Sequence, residues 1–390
     1  MDFTKVQAYL EHLTEMGMPL VQLAVTKGRE LVFSGSVGWA DAEKAVPATD
    51  RTLCWCYSDT KVYTAVCLMR LVEAGTVALD DPVSKYLPEF EGIRYWKDGE
   101  AVRAKQAPTL RQLITMTSGL TYNGNKEYTH FSEAISRPGV TTREAVAALA
   151  QEVLAFEPGT EFRYGLGHDV IAAVIEVVTG MRFSEYVRQA LFAPLGIEDT
   201  GFHPSEEQLR RFAALYRLDP ETGTLRPFPP VNSYVFSENY DSGGAGMFSN
   251  AREYCKLLTA LACGGTGADG YRVLAPESIE RLATNQLSGK TWDTYHVKDG
   301  KPIRAGYGYG LGVRVHVDAA ASRGKTSIGE FGWSGAAGAY SFVDREKQLA
   351  LCYVEHVLGH KLPAKEGVEP YVRTEVLRTI KNLTCDAVES

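Results

Sequence analysis

Apolar and polar residues follow two different periods along this chain, and the switches between them outline its architecture. Residues 3–17 carry apolar side chains at the spacing of an amphipathic helix. Val21-Gln22-Leu23-Ala24-Val25 and Glu30-Leu31-Val32-Phe33 have strand character on either side of a Lys27-Gly28-Arg29 turn. A strand-like run, residues 53–57, enters an apolar stretch, residues 62–69, that keeps helical spacing up to Gly75, so 58–75 is predicted as a helix. Helical patterns continue at 109–116, 142–155, 168–179, 182–193 and 251–263. Strand patterns return at 309–317, 337–343 and 347–354, followed by a last helix near 369–382. From about 200 to 245 no period holds, and the enrichment in Pro, Gly, Ser and aromatic residues predicts an irregular stretch suited to lining a site.

Strands at both ends with helices between them predict an α/β (α+β) fold: an antiparallel sheet built from both termini and flanked by helices, plus an inserted all-helical domain. The expected boundaries place 1–80 and 240–390 in the sheet domain and 81–239 in a mainly helical one. At 390 residues the chain is long for a single core, which agrees with two parts. A net charge of −7 excludes a nucleic-acid surface. No unbroken apolar run reaches the length of a membrane span, and the N-terminus does not read as a secretory signal. Seven cysteines, an odd number scattered through apolar surroundings, point to a reducing cytoplasm, and no Cys or His set has zinc spacing. No metal and no cofactor is expected.

Ser58-Asp59-Thr60-Lys61 is the stretch richest in chemistry. Residues i and i+3 share a helix face, so Lys61 is placed to reach the Ser58 hydroxyl and activate it. The helix start adds free N–H groups and a partial positive charge for a developing oxyanion. A second match, Ser322-Arg323-Gly324-Lys325, has no apolar helical run after it and is expected to be a polar turn between strands. Tyr164, just before the apolar helix that begins near Asp169, either relays protons beside the lysine or only packs at the helix entrance. In the Gly-rich run Phe331–Asp344 a substrate could approach the backbone closely, with the Ala336 N–H as a second oxyanion donor beside that of Ser58; the bland alternative is a Gly-rich strand with a buried Trp.

Taken together, these segments resemble the serine beta-lactamase and penicillin-recognising superfamily, in the branch that holds class C enzymes, D-alanyl-D-alanine carboxypeptidases and family VIII esterases. The resemblance runs over about residues 15–357. It includes the Ser58–Ala65 box, the Leu-Asp-Asp-Pro-Val segment at 79–90, Leu113–Leu120, the Pro-Gly…Tyr box at 158–180, Gly243–Ser249 and Tyr307–Gly312. It implies Ser58 as the acylated nucleophile, Lys61 as proton acceptor, Tyr164 as relay, and the Ser58 and Ala336 N–H groups as the oxyanion hole. Ser118 is structural in this picture.

Two departures bear on substrate. Where lactamases have Tyr-x-Asn, this chain has Tyr164-Gly165-Leu166, and Leu166 offers no amide to an acylamido side chain. Where Lys-Thr-Gly or His-x-Gly is common, it has Trp333-Ser334-Gly335, an apolar face in place of a cation for a carboxylate. Both patterns look like those of family VIII carboxylesterases, so a small-molecule ester is the expected substrate. Leu166, Trp333, Ser334, Gly335 and Tyr122 are the expected substrate-binding residues, with Tyr234, Phe236 and Tyr240 as further walls. Ser237-Glu238-Asn239 mimics another lactamase box but lies in the irregular stretch. An alpha/beta-hydrolase elbow at Gly332-Trp333-Ser334-Gly335 fails because Ala336 stands where Gly is needed and strand-like sequence follows. An acyltransferase would use the same Ser58 intermediate, and a non-catalytic sensor would not need all of Ser58, Lys61 and Tyr164.

Overall fold

The computed structural model describes every residue except 123–127, 220, 299, 360 and 363–367. Helix α1 (Thr4–Glu15) is followed by strands β1 (Leu20–Lys27), β2 (Glu30–Asp41) and β3 (Val46–Pro47). Helix α2 (Thr60–Glu73) carries Lys61. Helices α3 (Gly167–Thr179) and α4 (Ala251–Ala262) follow. Strands β4 (Tyr307–Tyr309), β5 (Arg314–His316), β6 (Phe331–Gly332), β7 (Tyr340–Asp344) and β8 (Leu349–Val354) precede the terminal helix α5 (Arg373–Glu389). The eight strands form one antiparallel sheet in the order β4-β5-β6-β7-β8-β1-β2-β3. The two chain ends thus meet where β1 pairs with β8, Ala24 opposite Cys352.

Period-two alternation explains how the central strands are buried on both faces. Val21, Leu23 and Val25 of β1 and Leu349, Leu351 and Tyr353 of β8 pack into the core shared with α1 and α5. Their alternates, Ala24, Ala350 and Cys352, are small and face the larger core that contains α2 and α4. Small side chains let α4 lie close: Cys255 Sγ reaches the Ala24 carbonyl, and Thr259 and Thr26 share a hydroxyl hydrogen bond at 2.9 Å. Helix α2 is apolar around almost its whole circumference, and it is enclosed on all sides from Thr60 to Met69. Its own sequence therefore dictates a central position, which carries Lys61 into the interior.

The segment between the two parts of the sheet is mainly helical, but it is not all-helical. Arg94–Lys97, Glu100–Arg103 and Val153–Leu154 form a small sheet there. The helix expected over 142–155 stops at Leu149, because Val153 and Leu154 pair with Arg94 and Tyr95. The irregular stretch contains a hairpin, Leu215–Leu218 with Leu225–Phe228, whose four-residue strands are too short for a legible period. The single strand expected at 309–317 is instead a hairpin folded at Gly310-Leu311-Gly312. No helix of the described residues is long and apolar enough to cross a membrane.

Candidate active site

The chain reaches Ser58 under tight control. Cys54–Trp55 pairs with Phe248–Ser249, and the Cys56 N–H donates to the Met247 carbonyl at 2.8 Å. Tyr57 then takes a φ of +47°, a left-handed conformation that costs a bulky residue on the order of 1–3 kcal/mol. Surrounding contacts hold it there: its ring lies edge-on to Tyr234 with centroids 6.4 Å apart, and its carbonyl accepts from Thr60 Oγ1 at 2.6 Å. The strained residue directly precedes Ser58. Ser58 itself is half-buried, and its Oγ makes no hydrogen bond among the described residues.

Lys61 is fully buried one turn later. Its Nζ donates to the Gly244 carbonyl at 2.7 Å and to Tyr122 Oη at 3.0 Å, and lies 4.7 Å from the centroid of the Tyr164 ring. The amine is thus turned to Gly244 and Tyr122, whereas the i, i+3 spacing had predicted Ser58 Oγ as its partner. The Gly243–Gly244 loop that supplies this carbonyl also accepts Thr64 Oγ1 at Gly243, at 2.6 Å. Below the loop, Asp169 Oδ1 accepts from Ser242 Oγ at 2.7 Å and Tyr240 Oη at 3.0 Å. Burial pushes the Asp169 carboxyl up, opposed by these hydrogen bonds and by Lys61. His168 is enclosed with no partner on either ring nitrogen among the described residues; burial, then the Lys61 charge, drives its pKa far down, so it is neutral.

Tyr164 Oη accepts a hydrogen bond from Trp333 Nε1 at 3.0 Å, and the two rings stack with centroids 5.6 Å apart. Trp333 leads into a tight turn in which Gly335 N–H donates to the Ala339 carbonyl at 2.7 Å. A Cβ at Gly335 would come within 2.0 Å of the Cys56 carbonyl oxygen, so only glycine lets this turn lie against the chain entering Ser58. Ser334 and Ala336 are exposed at the turn. Neither the Ser58 nor the Ala336 N–H donates to a protein acceptor among the described residues.

Tyr122 is half-buried with its ring 5.6 Å from Tyr164 and 5.5 Å from Tyr234; burial, then the neighbouring Tyr164, pushes its phenol up. Leu166 is in the main core, and Tyr240 is enclosed with its hydroxyl on Asp169. Ser237 Oγ is committed to the Val140 carbonyl at 2.5 Å, a turn contact. Ser322 ends a four-residue helical turn with Oγ 2.7 Å from His316 Nε2, and Lys325 pairs with Asp386. Ser118 Oγ accepts from the Leu120 N–H. Cys54 and Cys56 are both buried, which pushes their thiols up. Among the described residues no group of three His, Cys, Asp or Glu side chains could hold a metal ion.

Sequence reasoning passed over one buried network beside Ser58. Asp59 Oδ1 accepts from Ser341 Oγ at 2.8 Å, while Oδ2 has no hydrogen-bond partner among the described residues. Arg314 donates to the Ser341 carbonyl at 2.7 Å and to the Trp333 carbonyl at 2.8 Å, and pairs with Glu330 at 3.1 Å. Lys381 of α5 closes the chain on Glu330 at 3.4 Å. The network joins the residue after Ser58 to Trp333, the residue that follows β6.

An antiparallel sheet built from both chain ends, a central Ser-x-x-Lys helix and a mainly helical insertion make up the fold of beta-lactamases and transpeptidases. The chain belongs to the Beta-lactamase family, whose model matches residues 6–364. It is 31% identical over 385 residues to the protein Rv1367c of Mycobacterium tuberculosis, covering 96% of this chain and 95% of that one. It is 30% identical over 348 residues to esterase EstB of Burkholderia gladioli, covering 84% and 83%. Among solved structures it is similar to EstCE1, described as a hydrolase with promiscuous acyltransferase activity, with a TM-score of 0.77 and 23% identity over 98% of this chain and 97% of that one. The protein is a serine hydrolase of the beta-lactamase fold.

Proposed function

We propose that the protein is a carboxylesterase that cleaves small to medium acyl esters through an acyl-enzyme on Ser58. The observation that carries this reading is Trp333: it stands in the sequence where related enzymes have the Lys or His of their third box, its indole N–H is spent on Tyr164 Oη, and its ring stacks on Tyr164. Lys61, beside the Tyr164 ring, is buried, Arg314, which donates to the Trp333 carbonyl, is mostly buried, and both are committed to protein acceptors. Neither cation is free to pair with the carboxylate of a lactam or peptide terminus, whereas a neutral ester needs no counter-ion. The 30% identity to an esterase supports the same reading.

In this mechanism Ser58 Oγ attacks the ester carbonyl, and its proton passes by way of Lys61 and Tyr164 to the departing alkoxide. The oxyanion rests on the Ser58 and Ala336 N–H groups. Water then takes the acyl group and regenerates the Ser58 hydroxyl. If an alcohol or amine replaces water, the same intermediate gives acyl transfer, the activity named for EstCE1.

The test is a panel of p-nitrophenyl esters of rising chain length with nitrocefin alongside, in the wild type and Ser58→Ala. Short esters are expected to turn over, nitrocefin poorly or not at all, and the variant is expected to be inert. Efficient nitrocefin hydrolysis would overturn the ester assignment, and full activity in Ser58→Ala would overturn the nucleophile. Added alcohols, with product analysis, separate transfer from hydrolysis.

A further inference from the structure

Arg373 is the first residue of α5, where a positive charge opposes the helix macrodipole, and it is buried. Such a residue needs partners. Its Nη2 and Nε reach Glu355 Oε2 at 2.9 and 3.2 Å, and Nη2 also donates to the Val357 carbonyl at 2.8 Å. Its Nη1 donates to the carbonyl of Ala336 at 3.1 Å. The other carboxylate oxygen, Oε1, accepts from Tyr353 Oη at 2.7 Å and from Tyr371 Oη. Gly338 has a φ of +102°, and a Cβ there would come within 2.4 Å of Glu355 Oε2, so the turn after Trp333 rests directly on this carboxylate.

Three successive carbonyls of that turn are held. Gly335 accepts from the Gly338 N–H at 3.0 Å, Ala336 from Arg373, and Ala337 from the Val357 N–H at 3.0 Å. The Ala336 N–H, by contrast, has no protein acceptor among the described residues. Burying an ion pair is a poor way to gain stability, since well-packed apolar groups do as well. What this pair supplies is direction, because a planar guanidinium fixed by a carboxylate holds Nη1 in a set direction, toward the Ala336 carbonyl.

We propose that Glu355 and Arg373 are a positioning pair for the oxyanion hole, fixing the Ala336 residue so that its N–H faces the acyl oxygen over Ser58. The proposal rests on the acyl-enzyme reading given above. Loss of the guanidinium leaves Ser58 and Lys61 in place but lets the Ala336 residue rotate. The cost then falls on the transition state, whose oxyanion needs that donor, more than on substrate binding.

The experiment compares Arg373→Met, Arg373→Lys and Glu355→Gln with Val376→Ala, which loosens α5 one turn on without touching the guanidinium. Thermal midpoints are measured beside kcat and KM for p-nitrophenyl butyrate. Arg373→Met is expected to lose kcat by about 100-fold, the usual scale for an oxyanion donor, with KM nearly unchanged. Arg373→Lys and Glu355→Gln lose less, and Val376→Ala lowers the midpoint while keeping kcat. Guanidinium added at non-denaturing concentration to Arg373→Ala restores part of kcat. A folded Arg373→Met with wild-type kcat overturns the proposal. So does a Val376→Ala that loses kcat as steeply as the Arg373 variants at equal midpoint. If Arg373→Met does not fold, Arg373→Lys and Glu355→Gln carry the same comparison. Turnover surviving in Ser58→Ala would instead refute the acyl-enzyme reading itself, a result independent of the pair.

Discussion

Replacing Asp59 by Asn tests how the interior beside Ser58 handles charge. The side chain is fully enclosed; burial pushes its carboxyl from 3.8 up to about 6, although the Ser341 hydroxyl and the Arg314 charge pull the other way. A group whose folded pKa is raised gives stability that is fully present below the unfolded value and lost as pH rises through the folded one. For Asp59 that window runs from about pH 4 to about pH 6, and the ionised carboxylate costs about 3 kcal/mol above it. Asn keeps an oxygen for Ser341 Oγ and cannot ionise. The variant should therefore gain about 3 kcal/mol on the wild type between pH 4 and pH 8, read by denaturant titration at several pH values. Any fixed cost of the amide cancels in this pH dependence, and so do groups common to both proteins, such as Glu176, pushed up to about 7, and His356, pushed down to about 4. The buried neighbours Cys56, Cys352 and Tyr254 are all pushed upward, away from this window. A difference between variant and wild type that stays flat from pH 4 to pH 8 would refute the reasoning.

Three further outcomes follow from the same contacts. Gly335→Ala drives a Cβ into the Cys56 carbonyl, and esterase activity should fall by more than tenfold in protein that still folds by circular dichroism. Trp333→Phe keeps the stacked ring but removes the donor to Tyr164 Oη; at about 0.5–1.5 kcal/mol for a hydrogen bond, kcat/KM for a short ester should drop roughly two- to tenfold. Lys381→Met removes one cation from the buried Glu330 carboxylate. Burial pushes that carboxyl up, but Lys381 and Arg314 together hold it below its usual value. About 3 kcal/mol of stability should be lost, seen as a lower denaturation midpoint.

The elements with strong periods were legible before the structure, and the reasons for the failures are specific. Helix α2 was foreseen because its apolar residues run unbroken, and β1 and β8 because alternation survives even where both faces are buried. The sheet in the insertion was missed because Val153 and Leu154 look like the end of a helix; their strand partner, Arg94–Lys97, is some sixty residues away, and no local pattern encodes that pairing. At the site, the family resemblance implied that Ser58, Lys61, Tyr164 and Trp333 belong together; in the structure Lys61 lies beside the Tyr164 ring, Trp333 bonds Tyr164, and Gly335 packs on the chain entering Ser58. The resemblance did not predict where the Lys61 amine points. That direction is set by Gly244 and Tyr122, which are distant in the chain from Lys61 and from each other.

The same distinction explains why the buried acids were overlooked. Asp59, Glu330 and Glu355 stand in the sequence as isolated polar residues, each of which an exposed position would accommodate at no cost. Their meaning depends on what the fold encloses with them. Glu355 is covered by Tyr353, Tyr371 and Arg373, and Glu330 by Arg314, Lys381 and Thr326. Both clusters draw their cations partly from α5, and both end on the segment 333–341, one at the Trp333 carbonyl and the other at the Ala336 carbonyl. An apolar replacement could fill the same volume with no loss of packing, but it could not aim a donor at either carbonyl. Two costly buried pairs converging on one short segment are therefore better explained by the orientation of that segment than by stability, and the segment is the one packed against the chain that enters Ser58.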